Sequence, residues 1–191
     1  MFTTALNFLL NTVLNLLTLV FLLRFFMQLL RAPFNNPLGH MVITLTDFAV
    51  KPVRAFVPSW KKIDLSTLFL AILTQLLLQL CLIWLRDFPL SLAGPTAWYG
   101  VLGLSLLGVL KTSIDVFFYA ILLQVILSWV NPYSPISGVL DSLTKPILAP
   151  IRRILPVASG LDFSPLVALI LIQMLNISVL KTLELQLLAL F

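Results

Sequence analysis

The chain has 191 residues, of which 60% are hydrophobic and only 10% are charged. Soluble domains carry about 25% charged residues, so this composition excludes a water-soluble globule and indicates an integral membrane protein. The formal net charge of +5 then indicates contact with anionic lipid and a defined topology rather than direct nucleic-acid binding.

Four apolar segments are long enough to cross a membrane as helices, which takes about 20 residues. They cover residues 5–30, 66–85, 109–130 and 165–187. The third belongs to a longer apolar run in which Gly100, Gly103 and Gly108 weaken helix formation. We therefore expect residues 98–107 to form an interfacial lead-in to the third span. The predicted fold class is an all-α membrane protein with four transmembrane helices.

Basic residues concentrate in the two long connections of the chain. Segments 31–64 and 131–164 together hold eight Lys and Arg residues, whereas segment 86–96 holds only Arg86, which Asp87 offsets. By the positive-inside rule, both long loops face the cytoplasm and both termini face outward. The residues ahead of the first span include no Lys or Arg, which agrees with export of that end.

The two long loops carry the same residues at a constant offset of 98 positions, as Pro52 and Pro150 do. A duplicated unit dictates the architecture of a chain. We predict two parallel (2+2) repeats, residues 1–95 and 96–191, each made of a helix, a long cytoplasmic loop and a helix, with a symmetry axis along the membrane normal. The candidate loop motif comprises Thr46, Pro52, Arg54, Pro58, Asp64 and Ser66 in the first copy, and Thr144, Pro150, Arg152, Arg153, Pro156, Asp162 and Ser164 in the second.

Both long loops show apolar residues at helical spacing, interrupted by prolines. Pro52 and Pro58 divide the first loop, and Pro146, Pro150 and Pro156 divide the second. We expect each loop to form two short amphipathic helices at the cytoplasmic membrane surface. A re-entrant hairpin is the alternative for each loop.

Two acidic residues, Asp64 and Asp162, stand immediately before the second and fourth spans, and each is followed by a serine two positions later. Such side chains accept hydrogen bonds from free backbone NH groups, so we expect them to cap these helices. Arg54 and Arg152 each stand ten residues before the acid. Each arginine either closes its loop through an Arg–Asp ion pair or binds a lipid phosphate or a partner.

The second loop carries the most specific pattern of the chain. It reads Thr144-Lys-Pro-Ile-Leu-Ala-Pro150-Ile-Arg152-Arg153-Ile-Leu-Pro156, with Ser128-Trp129 ahead of it and Gly160-Leu-Asp162-Phe-Ser164-Pro165 after it. This pattern resembles the YggT (YlmG) family of small bacterial and plastid membrane proteins, over nearly the full chain. The first copy departs from the second, since Asp47 stands where the second has Lys145.

The resemblance implies a multi-pass protein of the bacterial plasma (inner) membrane that is linked to osmotic or envelope stress. Relatives are linked to cell division or nucleoid distribution, and a plastid relative to maturation of a haem-bearing cytochrome. The family supplies no catalytic residue to carry over. Because this chain has one His and one Cys, which do not make a zinc or haem site, we expect no metal and no cofactor.

Polar residues inside the spans are candidate functional groups, because burying them in lipid is costly. We expect Arg24, two-thirds of the way along the first span, to snorkel to the cytoplasmic interface. Gln75 and Gln173 occupy equivalent positions in the second and fourth spans, which predicts that they meet near the pseudo-axis as packing hydrogen bonds. The alternative is a polar midplane site that includes Gln124.

Further polar groups lie in the other parts of the spans. Lys111 with Asp115, and Lys181 with Glu184, have the spacing of pairs on one helix face, so we expect each pair to satisfy itself. The first span carries a polar row that we expect to face another helix, another subunit or water, but not lipid. This row consists of Thr4, Asn7, Asn11, Asn15 and Thr18.

The sequence shows no nucleophile–base pair, paired carboxylates, glycine-rich phosphate loop or metal cluster, so we do not expect an enzyme. The first hypothesis is a membrane scaffold or assembly factor that acts through basic amphipathic cytoplasmic loops. The alternative is an oligomeric transporter or channel component that uses the midplane polar residues. The expected partners are anionic lipid headgroups, a second copy of the chain, and a membrane or cytoplasmic protein.

Overall fold

The computed structural model of the chain describes residues 2–57, 63–86, 94–155 and 162–189. These residues are organised around α-helices that follow one another along the chain. The helices are α1 (Phe2–Leu29), α2 (Pro37–Arg54), α3 (Leu65–Leu85), α4 (Gly94–Val130), α5 (Ser137–Ile154), α6 (Ser164–Leu175) and α7 (Lys181–Leu188). A π-helical turn, Asn176–Leu180, joins α6 to α7.

Four helical segments of the described chain are long and apolar enough to cross a membrane. They are α1, α3, α4 and the continuous segment Ser164–Leu188 that contains α6 and α7. This confirms the all-α membrane fold with four long apolar helices. The division into two equivalent repeats stays a prediction.

The third span is a single long helix, and the predicted lead-in at residues 98–107 is wrong. Helix α4 has 37 residues, about 55 Å at 1.5 Å per residue, whereas the hydrocarbon core is about 30 Å thick. Its glycines allow close packing instead of breaking the helix. A Cβ at Gly103 would lie 2.7 Å from Cδ2 of Leu187 on α7, and a Cβ at Gly108 would lie 2.3 Å from Oε1 of Gln75 on α3.

The long loops contain longer helices than the prolines predicted. Helix α2 and helix α5 have 18 residues each, and they continue through Pro52 and through Pro146 and Pro150, respectively. The expectation of a helix break at these prolines is therefore wrong. All three prolines are exposed, so the carbonyl that lacks an NH partner lies where water or headgroups can reach it. The loop residues 58–62 and 156–161 lie outside the described residues.

The core joins the helices at the end of the bundle that carries α2 and α5. One buried cluster links Phe21 and Leu22 of α1 with Val50 of α2 and with residues of α3 and α4. A second links Met27 of α1 with Val42 of α2 and with residues of α4 and α5. Since both loop helices share a core with the same two spans, they lie at the same end of the bundle.

Candidate functional site

An ion pair closes the first loop. Arg54, in the last turn of α2, donates through Nη2 to Oδ2 of Asp64, which directly precedes α3. The Asp64 side chain is fully buried, whereas 42% of the Arg54 side chain is exposed. Arg54 therefore supplies the counter-charge for a buried carboxyl group at the start of a spanning helix.

The second loop forms the same ion pair in a more open setting. Nε of Arg152 lies 2.8 Å from Oδ2 of Asp162, whose side chain is 29% exposed. Burial raises the pKa of Asp162, but hydrogen bonds from Ser164 and Arg152 outweigh it, so the pKa lies below its usual value. Arg54 and Arg152 thus both close their loops, which is the first of the two roles that the sequence left open.

The expected helix caps form only in part. Oδ1 of Asp162 accepts a hydrogen bond from the backbone NH of Ser164 at 2.9 Å, at the start of α6. Asp64 makes no capping hydrogen bond; its Oδ2 accepts from Arg54. Oγ of Ser66 donates to the carbonyl of Val57 at 2.6 Å, which ties α3 to the end of the first loop rather than capping the helix.

Arg24 is paired inside the protein and does not snorkel to the interface. It is 7% exposed. Its Nη1 donates to Oγ1 of Thr46 at 2.5 Å and to Oδ1 of Asp47 at 2.8 Å. Lys51 binds the other carboxylate oxygen of Asp47 at 2.9 Å. The snorkelling expectation did not foresee that α2 packs against α1 and brings a carboxylate to Arg24.

The carboxyl group of Asp47 has a pKa below the usual 3.8, because Lys51 and then Arg24 donate hydrogen bonds to its ionised form. A lowered folded pKa stabilises the fold above the unfolded value, and the contribution is lost as the pH falls toward the folded pKa. We therefore expect the melting temperature of the wild type to exceed that of Asp47→Asn at neutral pH, with a gap that narrows below about pH 4. Thermal unfolding of both proteins in detergent, followed from about pH 7 to about pH 3, measures the gap, and a gap that stays constant would contradict this origin.

The threonines of the loop motif make hydrogen bonds within the loop helices, and the described prolines lie on the surface of these helices. Thr46 and Thr144 are buried and donate to the carbonyls of Val42 (2.6 Å) and Leu140 (2.8 Å), one turn earlier in their helices. Pro52 and Pro150 lie on exposed surfaces of α2 and α5. Pro58 and Pro156 lie outside the described residues.

Exposed cationic side chains gather on the ends of the two loop helices. Lys51 and Arg54 end α2, and Arg152 and Arg153 end α5, with Lys145 two turns before the end of that helix. All five side chains lie on exposed residues. Cations in the last turn also interact favourably with the negative end of the helix dipole. We call this surface the cationic face of the bundle.

Gln75 is buried at the middle of α3, but it does not meet Gln173. It is 1% exposed, and its Nε2 donates to Oδ1 of Asn15 (2.9 Å) and Oγ1 of Thr18 (3.3 Å) on α1. Gln173 lies exposed in an apolar groove beside Phe118 and Met174. The predicted meeting of the two glutamines is therefore wrong. Position 113, which corresponds to Asn15 at the offset of 98, holds Ser113, and position 116, which corresponds to Thr18, holds Val116.

Gln124 also belongs to a different contact. Its Nε2 donates to Oδ1 of Asp141 on α5 at 2.7 Å. This bond connects a span to its loop helix, as Arg24 and Asp47 do in the first half. Arg24, Gln75, Gln124 and Gln173 therefore do not form a common midplane site in this chain.

A large cavity, lined by apolar side chains and by amide and charged groups, lies in the half of the bundle that is opposite the cationic face; we call it the polar cavity after those amide and charged groups. It has a volume of about 1200 Å³ and lies between the first half of α1, the second half of α3, α4 and α7. Three residues of the predicted polar row of α1, Asn7, Asn11 and Asn15, line it, and so does Gln75. Of the surroundings that the sequence left open for that row, Asn15 and Thr18 contact another helix through Gln75 of α3, whereas Asn7 and Asn11 line the cavity.

Sequence reasoning missed how the charges of the third and fourth spans combine. Nζ of Lys111 lies 3.6 Å from Oε2 of Glu184 on α7, so these residues pair between helices rather than within them. Lys111, Asp115 and Glu184 all line the cavity, together with Arg86 at the end of α3. The sequence signal that could have predicted pairing between helices is that these charges fall at similar depths in neighbouring spans.

The fold defines a multi-pass α-helical membrane protein with a cationic loop-bearing end and a polar cavity toward the other end. The family model described as CCB3/YggT matches residues 3–85 and 103–183. The chain is 36% identical over 181 residues to YggT of Escherichia coli K12, covering 94% of this chain and 92% of that protein. It is 35% identical over 189 residues to protein PA0392 of Pseudomonas aeruginosa, covering 94% and 90%.

A protein of Vibrio alginolyticus is 36% identical over 174 residues, covering 90% of this chain and 91% of its own length. No solved structure matches the chain. The chain belongs to the CCB3/YggT family, which confirms the resemblance found in its loop motif.

Proposed function

We propose that this protein is a non-enzymatic membrane scaffold or assembly factor of the bacterial inner membrane, with its cationic face in the cytoplasm. That face binds anionic lipid headgroups and presents the loop helices to a protein partner. The observation that carries the proposal is that Lys51 and Arg54 end α2 and that Arg152 and Arg153 end α5, with Lys145 near the middle of α5. Lys145 and Arg153 lie outside the ion pairs formed by the described residues. The family resemblance adds a role in osmotic or envelope stress.

Helix α2 supports the proposal because its surface is divided into three faces. Gly39, Val42, Thr46 and Val50 face the bundle and are buried. A second face is apolar and exposed, with Met41 and Leu45 each 48% exposed and Phe48 69% exposed. A third face carries His40, Thr44 and Lys51, all exposed. An exposed apolar face next to a polar one suits a helix that lies in the membrane interface.

Helix α5 supplies a different surface. Val139, Leu140, Leu143, Thr144 and Leu148 are buried against the bundle, whereas Lys145, Arg152 and Arg153 are exposed. No exposed apolar stripe like that of α2 runs along the described residues of α5. The first loop therefore suits contact with acyl chains, and the second suits contact with phosphate groups or an acidic partner.

The two Arg–Asp pairs support a surface of fixed shape. Each pair connects the end of a loop helix to the start of the next span. Because both ends of each loop are held by the bundle, the cations are presented at defined positions. A fixed array of charges favours a scaffold, because a flexible loop in water would have to lose conformational freedom on binding.

The transport alternative loses the symmetric midplane site on which it rested, because the glutamines do not meet. The polar cavity is the remaining feature that favours solute binding. Solute flux in liposomes under an osmotic gradient tests transport directly. Flux that disappears on Gln75→Leu would favour the transporter over the scaffold.

Neutralising the exposed cations that α5 contributes to the cationic face should weaken binding of anionic lipid. We expect Lys145→Gln and Arg153→Gln each to reduce the phosphatidylglycerol that stays bound to the purified protein, by about 1 kcal/mol of binding per charge. Native mass spectrometry of the protein released from micelles counts the bound lipids. Added salt should reduce binding to the wild type more than to the variants.

Lys181→Gln is the matched control, since it removes one exposed positive charge at the start of α7, away from the cationic face. It should leave phosphatidylglycerol binding unchanged. Equal losses in all three variants would show that net charge, and not the cationic face, holds the lipid. Equal retention of phosphatidylcholine and phosphatidylglycerol by the wild type would contradict the proposal.

A further inference from the structure

We propose that the polar cavity between α1, α3, α4 and α7 is a binding site for a small zwitterion that carries an ammonium and a carboxylate group, as an amino acid does. The inference goes beyond the scaffold role, because the cavity lies in the other half of the bundle. By the same topology, it faces the outer side of the membrane.

The cavity is deep and has more than enough room for a small solute. Its volume of about 1200 Å³ exceeds the roughly 300–1,000 Å³ of ordinary small-molecule sites. Gln75, which lies ten residues before Leu85 at the end of α3, lines the cavity. The cavity therefore reaches about 15 Å below the end of α3, at 1.5 Å per residue.

Apolar side chains also line the cavity, but its amide and charged groups favour a polar occupant where they lie. The amides of Asn7, Asn11, Asn15, Gln75 and Gln79 line the cavity. An amide or charge that faces hydrocarbon without a hydrogen-bond partner is costly. Water or a polar solute can satisfy these groups, whereas lipid tails cannot.

The charges of the lining select the class of solute. Arg86 and Lys111 are cationic, and Asp115 and Glu184 are anionic, so the described charges of the cavity balance. Lys111 and Glu184 face each other at 3.6 Å, so a lone anion or cation would compete for one member of that pair and leave the other without a counter-charge. A zwitterion can place its carboxylate against the cations and its ammonium against the carboxylates.

The ion pair within the cavity is open to exchange. Lys111 and Glu184 are 3.6 Å apart, and their side chains are 52% and 42% exposed. That separation is too long for a hydrogen bond. Asp115 lies four residues after Lys111 and lines the same cavity. Both signs of charge are thus available to a ligand within one turn of α4.

Three matched probes test the proposal with purified protein in lipid nanodiscs. L-alanine carries both charges, L-alaninamide carries only the positive one, and N-acetyl-L-alanine only the negative one. We expect L-alanine at millimolar concentration to raise the melting temperature through preferential binding to the folded state. The two derivatives should have little effect. Equal stabilisation by all three probes, or by none, would overturn the proposal.

Two variants and a control show whether the cavity is responsible. Asp115→Asn should raise the Kd for L-alanine about tenfold or more, which corresponds to about 1.4 kcal/mol. Lys111→Gln should weaken L-alanine in the same way and leave the weak binding of L-alaninamide unchanged. Lys181→Gln, whose side chain does not line the cavity, should change the Kd less than about twofold. Unchanged binding in both cavity variants would overturn the assignment.

The headgroup of a zwitterionic phospholipid shares this chemistry, so the lipid composition separates the two sources. A soluble zwitterion binds equally in discs of phosphatidylglycerol and of phosphatidylethanolamine. If phosphatidylethanolamine alone stabilises the protein and blocks L-alanine, the site belongs to a lipid headgroup, and the assignment to a soluble ligand is overturned.

Discussion

Asp47→Asn is expected to lower the free energy of unfolding by about 3 kcal/mol, within the range for breaking a buried ion pair from one side. The substitution leaves Arg24, which is 7% exposed, without its counter-charge. Thr46 can accept a hydrogen bond but cannot neutralise the guanidinium. Lys51 is 77% exposed, so its ammonium returns to water and contributes little to the loss. Unfolding of the purified protein in mixed micelles of increasing denaturing detergent measures the change.

The matched control is Asp141→Asn, which makes the same chemical change on α5. Asp141 is exposed, and it accepts from the neutral amide of Gln124, so its loss should cost less than about 1 kcal/mol. The double variant Arg24→Leu with Asp47→Asn should recover most of the stability, since removing both charges removes the buried cation. Equal costs for Asp47→Asn and Asp141→Asn, or a double variant no better than Asp47→Asn alone, would contradict the structure.

The second expected result concerns the two loop arginines, which look equivalent in sequence. We expect Arg54→Gln to destabilise the protein by about 3 kcal/mol, because Asp64 is fully buried and loses the guanidinium that pairs with it. Arg152→Gln should cost less than about 1 kcal/mol, since 29% of the Asp162 side chain is exposed and its carboxylate also accepts from the Ser164 NH.

Unfolding in mixed micelles measures this difference between Arg54→Gln and Arg152→Gln, which make the same chemical change. Arg153→Gln is the control, because its exposed side chain lies next to Arg152 and outside the pair with Asp162. It should resemble the wild type in stability while losing lipid binding. A larger loss for Arg152→Gln than for Arg54→Gln would mean that the burial difference between Asp64 and Asp162 does not govern stability.

The spanning helices could be read from the sequence because long apolar runs have few other stable structures in a membrane. Their ends agree within a few residues with the described helices, except at the start of α4. Glycine propensity predicted a break there, but packing prevailed, because Gly103 and Gly108 let Leu187 and Gln75 approach α4 closely. A propensity scale carries no information about such neighbours.

The candidate site was predictable where partners are close in sequence or repeat at a fixed offset. The Arg54–Asp64 and Arg152–Asp162 pairs are one of the two roles that the ten-residue spacing in each loop allowed. The partners of Arg24 and Gln75 were not predictable in this way, because α2 and α1 supply them through tertiary packing. The sequence offset predicted that Gln173 would mirror Gln75. The positions equivalent to Asn15 and Thr18, the partners of Gln75, hold Ser113 and Val116, so the same pair of acceptors is not repeated for Gln173.

The cavity was the feature furthest from sequence reasoning. Its charged residues come from α3, α4 and α7, and pairing at helical spacing was the simpler prediction for each charge taken alone. Lys111 instead pairs with Glu184 across helices. Only the arrangement of the spans places these side chains around one space.

The central claim is that both loop helices present one cationic face to the cytoplasm while the cavity faces outward. Cys81 is the only cysteine, so a Cys81→Ser background allows single thiols at Lys51→Cys, Lys145→Cys and Lys181→Cys. A membrane-impermeant maleimide applied to right-side-out vesicles should label position 181 only, and applied to inside-out vesicles it should label positions 51 and 145. Labelling of positions 51 and 145 from opposite sides, or of both from the outside, would contradict the account.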